Sequence, residues 1–130
     1  NYPVKVCLDT AHLFVVGCQF ESKDAMRFLK RTYPSIFHHT ELVHLNDSAA
    51  ECGSFTDHHA DLGKGHLGLG SLGAFVSVFP RNTPFITETP KCDFEVLKEN
   101  ILTLNQIVTG NKIDLDEFGS NVKIERVFYF

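Results

Sequence analysis

Histidines, aspartates and a glutamate lie where apolar runs of the chain end. Asp9 and His12 belong to DTAH after the run 4–8, and His44 opens HLND in a second run. Glu88 is the next-to-last residue of PFITET. Imidazole and carboxylate groups without cysteine suit zinc, manganese or iron, and the residue types alone do not choose between these metals. The pattern predicts metal ligands or acid-base groups at the ends of strands.

A further pair of ligand types lies in the segment DHH, within a stretch from Glu41 to Gly70 that is rich in histidine and glycine. Residues two apart in an extended backbone project to the same side. Asp57 and His59 are therefore expected to reach one cation, while His58 points away. Taken alone, DHH is explained equally well by a solvated loop.

Each candidate ligand also has a purely structural interpretation. Asp9 fits a turn or a cap, and His44 fits a hydrogen-bonded core histidine. Glu88, at the end of a buried strand, must be paired, protonated or metal-bound, because an isolated buried charge is costly. Asp47 is expected to orient backbone or a neighbouring ligand rather than to bind metal. The remaining histidines, including His66, are expected at the surface or in packing.

Apolar and amphipathic segments alternate along the chain and predict three strand-loop-helix units. The first two consist of a strand over 4–8 with a loop after Asp9, a helix from Ser22 that Pro34 ends, a strand over 42–46, a long loop to about Gly70 and a helix over 71–79 capped by Ser71. The third consists of a strand over 84–89 and a helix from a cap at Asp93 to about Val108, stopped by Gly110.

Such alternation implies right-handed βαβ units and a parallel sheet, and barrels of this kind carry their active residues at the carboxyl ends of strands. Three units are too few to close a barrel. The prediction is an α/β fold in which residues 1–110 form the C-terminal three βα units of a TIM (β/α)8 barrel, incomplete as given. Residues 111–130 are a C-terminal tail whose packing the pattern does not specify, although KIERVFYF has strand propensity. Because the chain opens within a strand pattern and without methionine, it is expected to be a piece of something longer.

Composition limits the function classes. With 130 residues, 43% hydrophobic and 22% charged, the chain is expected to be a soluble single domain, and no apolar run approaches the ~20 residues of a membrane span. The dispersed cysteines lack a CxxC pair, which predicts buried reduced thiols and an intracellular protein. A net charge of -4 argues against DNA binding through a basic surface. Bound divalent cations would nevertheless let the site receive phosphate.

The glycine-rich segment GKGHLGLG does not have the GxxxxGK[ST] order of a phosphate-binding P-loop. It also lacks the preceding strand of a dinucleotide fingerprint. Its glycines are expected to let the backbone approach a ligand or a helix closely.

The segments DTAHLFVVG, HLNDS, DHHADLGKGHLG and ITETP, in this order and at this spacing, resemble the endonuclease IV family of apurinic/apyrimidinic endonucleases over residues 4–108. That family is a TIM barrel with three zinc ions that cleaves DNA on the 5′ side of an abasic site. By motif position, the residues that look like ligands of one zinc of a close pair are Asp9, His44 and Glu88. Those that look like the full ligand set of the third zinc are His12, Asp57 and His59.

The resemblance also implies a function in base excision repair. The expected partner is double-stranded DNA with an abasic site, met by a monomeric full-length enzyme in a DNA-containing compartment. Glu88 is the candidate catalytic residue, because it could orient a metal-bound water or accept its proton. The family's first zinc takes two histidines and a bridging glutamate that this chain does not supply. The chain alone is therefore expected to be inactive and its intact parent to be an endonuclease.

Two other interpretations stay open. Sugar isomerases and epimerases on a related barrel share strand-end acids and histidines, but they need one or two ions, so Asp57 and His59 would have no role in them. A non-catalytic remnant would keep the motifs without a working site. Metal content separates the remnant from a chain that retains metal chemistry.

Overall fold

The computed structural model describes residues 4–90 and 93–110, in which the strands of a parallel sheet alternate with helices. In this part of the chain, the parallel strands are β1 (Val6–Asp9), β2 (Thr40–His44) and β5 (Phe85–Ile86), arranged in the order β1-β2-β5. A separate antiparallel pair consists of β3 (Asp47–Ser48) and β4 (His59–Ala60). The helices are α1 (Thr10–Val15), α2 (Lys23–Thr32), α3 (Pro34–His39), α4 (Gly68–Val76) and α5 (Phe94–Thr109).

The strands of the parallel sheet alternate with helices along the chain, as the sequence pattern predicts. The strand after residue 84 is shorter than expected, so Glu88 lies two residues beyond β5. The predicted tail at 111–130, with its strand propensity, lies outside the described residues. Among the described helices, none is both long enough and apolar enough to cross a membrane.

The sheet has one covered and one open face. Val43 is fully buried, and Leu8 and Phe85 pack against the same core, which includes Phe20, Met26, Leu72 and Phe75. Successive side chains of a strand alternate between its faces. Cys7 and Ile86, which alternate with Leu8 and Phe85, are accordingly exposed. This open face is the one that would point into a closed barrel.

The prediction of buried thiols is wrong for Cys7, because its strand position turns it to the open face. Cys18 and Cys52 are half-buried, and all three of these described cysteines are free thiols. Burial raises the pKa of the Cys18 thiol, and the neighbouring Cys52 raises it further. Cys18 is therefore a protonated thiol at neutral pH.

A short helix replaces the loop expected after Asp9. The carboxylate of Asp9 caps α1, since its Oδ1 accepts the backbone N–H groups of Ala11 at 2.9 Å and His12 at 3.1 Å. The apolar residues that follow, Phe14 and Val15, are buried on this helix. Asp9 thus ends a strand and begins a helix at once, which places His12 in the first turn.

Two other helix boundaries differ from expectation. The helix that Pro34 was expected to end stops at Thr32, and Pro34 begins α3, where its fixed φ and missing N–H suit a first turn. The fourth helix begins at Gly68, so Ser71 lies inside it rather than at its cap. The amide of Gly68 instead donates to the carboxylate of Asp47.

Asp47 organises the glycine-rich segment that precedes α4. It is 0% exposed, and its carboxylate accepts backbone N–H groups from Ser48 and from four residues of this segment, Gly63, Gly65, Leu67 and Gly68, at 2.8 to 3.4 Å. A carboxylate that accepts several backbone N–H groups holds them in a fixed arrangement, and here it lies at a helix N-terminus. The expectation that Asp47 orients backbone is confirmed.

Gly65 shows why this segment requires glycine. A Cβ atom there would overlap the carboxylate of Asp47 and the backbone carbonyl of Ser48. Gly65→Ala is therefore expected to lower the free energy of unfolding by about 2–3 kcal/mol, because a buried backbone segment must shift. Urea denaturation measures the difference.

Gly73→Ala is the matched control for that prediction. Gly73 lies within α4, and a Cβ there would meet nothing within 4 Å. Alanine at this helical position is expected to be neutral or to stabilise by about 0.5–1 kcal/mol. Equal stabilities of the Gly65 and Gly73 variants would contradict the role of the close approach.

Candidate metal centre

Asp9, His44 and Glu88 come together at the carboxyl ends of the parallel strands; we call them the Asp9 group. The parallel register pairs Asp9 with His44, which places the two side chains next to each other. The His44 Nδ1 lies 3.1 Å from Glu88 Oε2 and 3.6 Å from Asp9 Oδ2. One potential ligand atom from each of the three residues lies within 4.8 Å of the others.

The Asp9 group combines different degrees of burial. Asp9 is buried, His44 is half-buried, and the Glu88 side chain is 42% exposed. Two carboxylate oxygens that face one imidazole repel each other unless positive charge or a proton lies between them. A cation at this point would relieve the repulsion, and Glu88 would be the member most open to a substrate.

His12, Asp57 and His59 form a second cluster, the His12 group. The two oxygens of Asp57 contact different histidines: Oδ2 lies 3.1 Å from His12 Nε2, and Oδ1 lies 3.3 Å from His59 Nε2. The ring centroids of His12 and His59 are 5.7 Å apart. Asp57 and His59, which are two residues apart, thus both lie close to His12 in the first turn of α1.

Asp9 also reaches toward the His12 group. Its ligand atoms lie within 4.8 Å of those of His12 and His59, in addition to those of the Asp9 group. The cause is helix α1, which begins immediately after Asp9 and turns His12 back toward it. The two clusters are adjacent, with Asp9 between them.

His59 provides a test of whether these residues fit a metal ion. Its side chain is 17% exposed, and Nε2 has no hydrogen-bond partner within the described residues, although Asp57 Oδ1 lies within ion-pairing distance. A buried polar atom without a hydrogen bond is uncommon and costs free energy. A cation at Nε2 would satisfy it. The donor set of imidazole and carboxylate suits zinc, so the residues fit the metal that the sequence suggests.

The two clusters border an open cleft of about 420 Å³. It is lined by residues from two segments, namely Asp57, His58, His59, Glu88, Thr89 and Pro90. His58 is exposed and contributes to the lining of this cleft, and the expectation that it points away from the cation shared by Asp57 and His59 stays a prediction.

Asn46 and Thr10 belong to the site although sequence reasoning did not single them out. The Nδ2 group of Asn46 donates to Asp9 Oδ2 at 2.9 Å and to Glu88 Oε2 at 3.3 Å. The Thr10 hydroxyl donates to the backbone carbonyl of Asn46 at 2.6 Å. The available signal was position, because Thr10 follows Asp9 directly and Asn46 lies two residues after His44.

Comparisons with known proteins agree with this architecture. Residues 2–106 match the family described as the xylose isomerase-like TIM barrel. The curated "Probable endonuclease 4" of Moorella thermoacetica is 36% identical over 107 residues, which cover 80% of this chain and 38% of that protein. The "Probable endonuclease 4" of Natronomonas pharaonis is 35% identical over 93 residues, covering 69% of this chain and 34% of that protein.

A solved structure shows the same similarity in three dimensions. The crystal structure of endonuclease IV from Thermus thermophilus superimposes with a TM-score of 0.68 at 31% identity, over 83% of this chain and 40% of that one. The chain spans about a third of the length of the curated relatives named above. It belongs to the xylose isomerase-like TIM barrel family and, within it, to the endonuclease IV family.

Proposed function

We propose that this chain is the metal-binding part of a zinc-dependent abasic-site DNA endonuclease that acts in base excision repair and hydrolyses the phosphodiester 5′ to the lesion. The observation that carries the proposal is the meeting of the Asp9 group and the His12 group at the carboxyl end of a parallel sheet. The relatives named endonuclease 4 support it.

The ligand assignment follows the clusters. The Asp9 group would hold one zinc of a close pair, and the His12 group would hold a separate zinc. The other zinc of the close pair, the family's first, would take two histidines and a bridging glutamate that this chain does not supply. Bound zinc lowers the pKa of a water to near neutrality and stabilises negative charge on a phosphate.

Glu88 is the proposed catalytic residue of this chain. Its Oε2 faces His44, and its partly exposed side chain borders the cleft. From that position the carboxylate can orient an attacking water or accept its proton. Asp9, in contrast, is buried and held by backbone amides, which suits it to fixed ligation.

The proposed substrate is double-stranded DNA with an abasic site, bound by a full-length monomer in a DNA-containing compartment of the cell. A chain of net charge -4 gains little from a basic surface, so bound cations would provide the attraction for phosphate. An abasic nucleotide has no base to unstack, which makes its extrusion into an open cleft comparatively easy.

The experiment that tests this function is incision of a duplex bearing one abasic analogue by a protein that carries this chain with the rest of its barrel. We expect incision 5′ to the lesion, loss of incision in a chelator and recovery with zinc. The 130-residue chain alone is expected to leave the duplex intact. Full activity in the chelator, or equal cleavage of an undamaged duplex, would refute the proposal.

The His12 group also separates this function from that of a sugar isomerase. An isomerase needs one or two ions, and the Asp9 group with additional strand-end ligands would be sufficient for that purpose. A further cluster, with a buried His59 nitrogen that has no hydrogen-bond partner among the described residues, has no role in such an enzyme. A remnant without metal chemistry would bind zinc at neither cluster.

His59→Ala is expected to remove about one equivalent of zinc from the purified chain, because it deletes the most buried ligand of the His12 group. Elemental analysis after dialysis measures the content. His38→Ala, which truncates an exposed histidine of α3, is the matched control and should retain the full content. Unchanged zinc in the His59 variant would exclude the assignment.

A further inference from the structure

The side-chain amide of Asn46 links both carboxylates of the Asp9 group. Its Nδ2 donates to Asp9 Oδ2 at 2.9 Å and to Glu88 Oε2 at 3.3 Å. We infer that Asn46 is a positioning residue, which holds these two oxygens together in front of His44. The inference rests on the proposed function insofar as the Asp9 group is a metal site.

The orientation of the Asn46 amide is determined by its other contact. Oδ1 accepts the backbone N–H of Glu88 at 2.7 Å. Because a backbone N–H can only donate, the oxygen must face Glu88 N and the amino group must face the carboxylates. One amide therefore holds Glu88 by its backbone and by its side chain, and it holds Asp9 at the same time.

Asn46 is itself fixed in place. It is 0% exposed, and its backbone N–H donates to the Thr10 hydroxyl at 2.8 Å, while that hydroxyl donates to the Asn46 carbonyl at 2.6 Å. Thr10 follows Asp9, so this reciprocal pair joins the ends of β1 and β2. Buried, fully bonded polar groups of this kind have little freedom to rotate.

The contacts of Asp9 leave one oxygen to face the cluster. Oδ1 accepts the amides of Ala11 and His12, whereas Oδ2 faces the Asn46 amide and lies 3.6 Å from His44 Nδ1. Glu88 Oε2 faces the same amide and the same ring nitrogen. A neutral donor at this point brings two negative oxygens together without adding a charge, which an aspartate could not do.

The test measures binding of Co²⁺ alone to the 130-residue chain in a His12→Ala/His59→Ala background, so that the Asp9 group is the cluster under study. Adding Asn46→Ala is expected to weaken Co²⁺ binding by about tenfold to a hundredfold, the range typical of residues that orient metal ligands. Visible absorption follows the titration, and far-UV circular dichroism checks the fold of each variant.

Asn100→Ala is the matched control. Asn100 is another buried amide, 3% exposed, which bonds Leu62 N and Asp61 and does not contact the Asp9 group. Its truncation is expected to lower stability while leaving the Co²⁺ affinity of the background unchanged. Unchanged affinity in the Asn46 variant, or an equal loss in the Asn100 variant, would overturn the positioning role.

Asn46→Asp keeps the inference testable if the alanine variant does not fold. Aspartate preserves an acceptor for Glu88 N–H, but it places a third carboxylate against the other two. In EDTA, the melting temperature of the Asn46→Asp variant is expected to fall below that of the background, and Co²⁺ is expected to restore it. An unchanged melting temperature in EDTA would overturn the positioning role of Asn46. If the background binds no Co²⁺, the proposed metal site fails, while the melting temperature in EDTA still decides the role of Asn46.

Discussion

Glu88→Gln is expected to reduce incision of an abasic duplex by about 10²–10⁴-fold in the protein that carries the whole barrel. Glutamine has nearly the same shape but no negative charge. It would therefore be a weaker ligand for the proposed zinc beside His44, whose Nδ1 lies 3.1 Å from Glu88 Oε2, and it could not accept a proton from water. The measurement is kcat/KM under subsaturating DNA with zinc present.

Glu99→Gln is the matched control for this loss. Glu99 is exposed on α5, where its carboxylate pairs with Lys64 at 3.1 Å, and it belongs to neither cluster. Its substitution should leave kcat/KM within about twofold, since exposed ion pairs contribute little. Activity of the Glu88 variant close to that of the control would refute the catalytic assignment.

Asp47→Ala is expected to lower the free energy of unfolding by about 4 kcal/mol. The substitution leaves the backbone N–H groups that now converge on the carboxylate without an acceptor, and each buried unpaired donor costs about 1–3 kcal/mol unless water reaches it. Opening of the glycine-rich segment would admit water and limit the total. Urea denaturation with an unchanged m-value measures the loss.

The same variant is expected to lose zinc from the His12 group. Asp47 pairs with Ala60 in the β3–β4 ladder and bonds Gly63, so it fixes the backbone on the C-terminal side of His59. Asp93→Ala is the control: it removes the exposed cap of α5 and should cost about 1 kcal/mol with zinc retained. If Asp47→Ala lowered the free energy of unfolding by less than Asp93→Ala does, the role of Asp47 would be contradicted.

The proximity of the three residues of the Asp9 group could be predicted from sequence because parallel strands end at one edge of a sheet. Apolar runs followed by Asp9, His44 and Glu88 are sufficient to place these side chains near one another. The spacing of Asp57 and His59 likewise predicts a shared direction, which the structure has. Local periodicity carries this information.

The position of Asp9 between the clusters could not be predicted in the same way. Periodicity assigned the residues after Asp9 to a loop, because a helix of six residues contains too few turns to show an apolar stripe. The carboxylate decides the local structure by capping that helix, and the helix then turns His12 toward Asp9. An aspartate after an apolar run is compatible both with the end of a strand and with the cap of a helix, so the sequence did not distinguish the two.

Asn46 escaped prediction for a different reason. An amide is not expected to be a zinc ligand, and its importance depends on contacts with Asp9 and Glu88, which lie 37 and 42 residues away. Gly65 is an intermediate case: glycine indicated a close approach of the backbone, but the sequence did not say that Asp47 was approached. Contacts between distant segments require the fold.

Anomalous diffraction at the zinc edge, from crystals of this chain grown with zinc, is the most direct test of the metal assignment. We predict a peak among Asp9, His44 and Glu88, and another among His12, Asp57 and His59 within bonding distance of His59 Nε2. Absence of anomalous density at both clusters, with zinc bound elsewhere or not at all, would contradict the proposed metal centre.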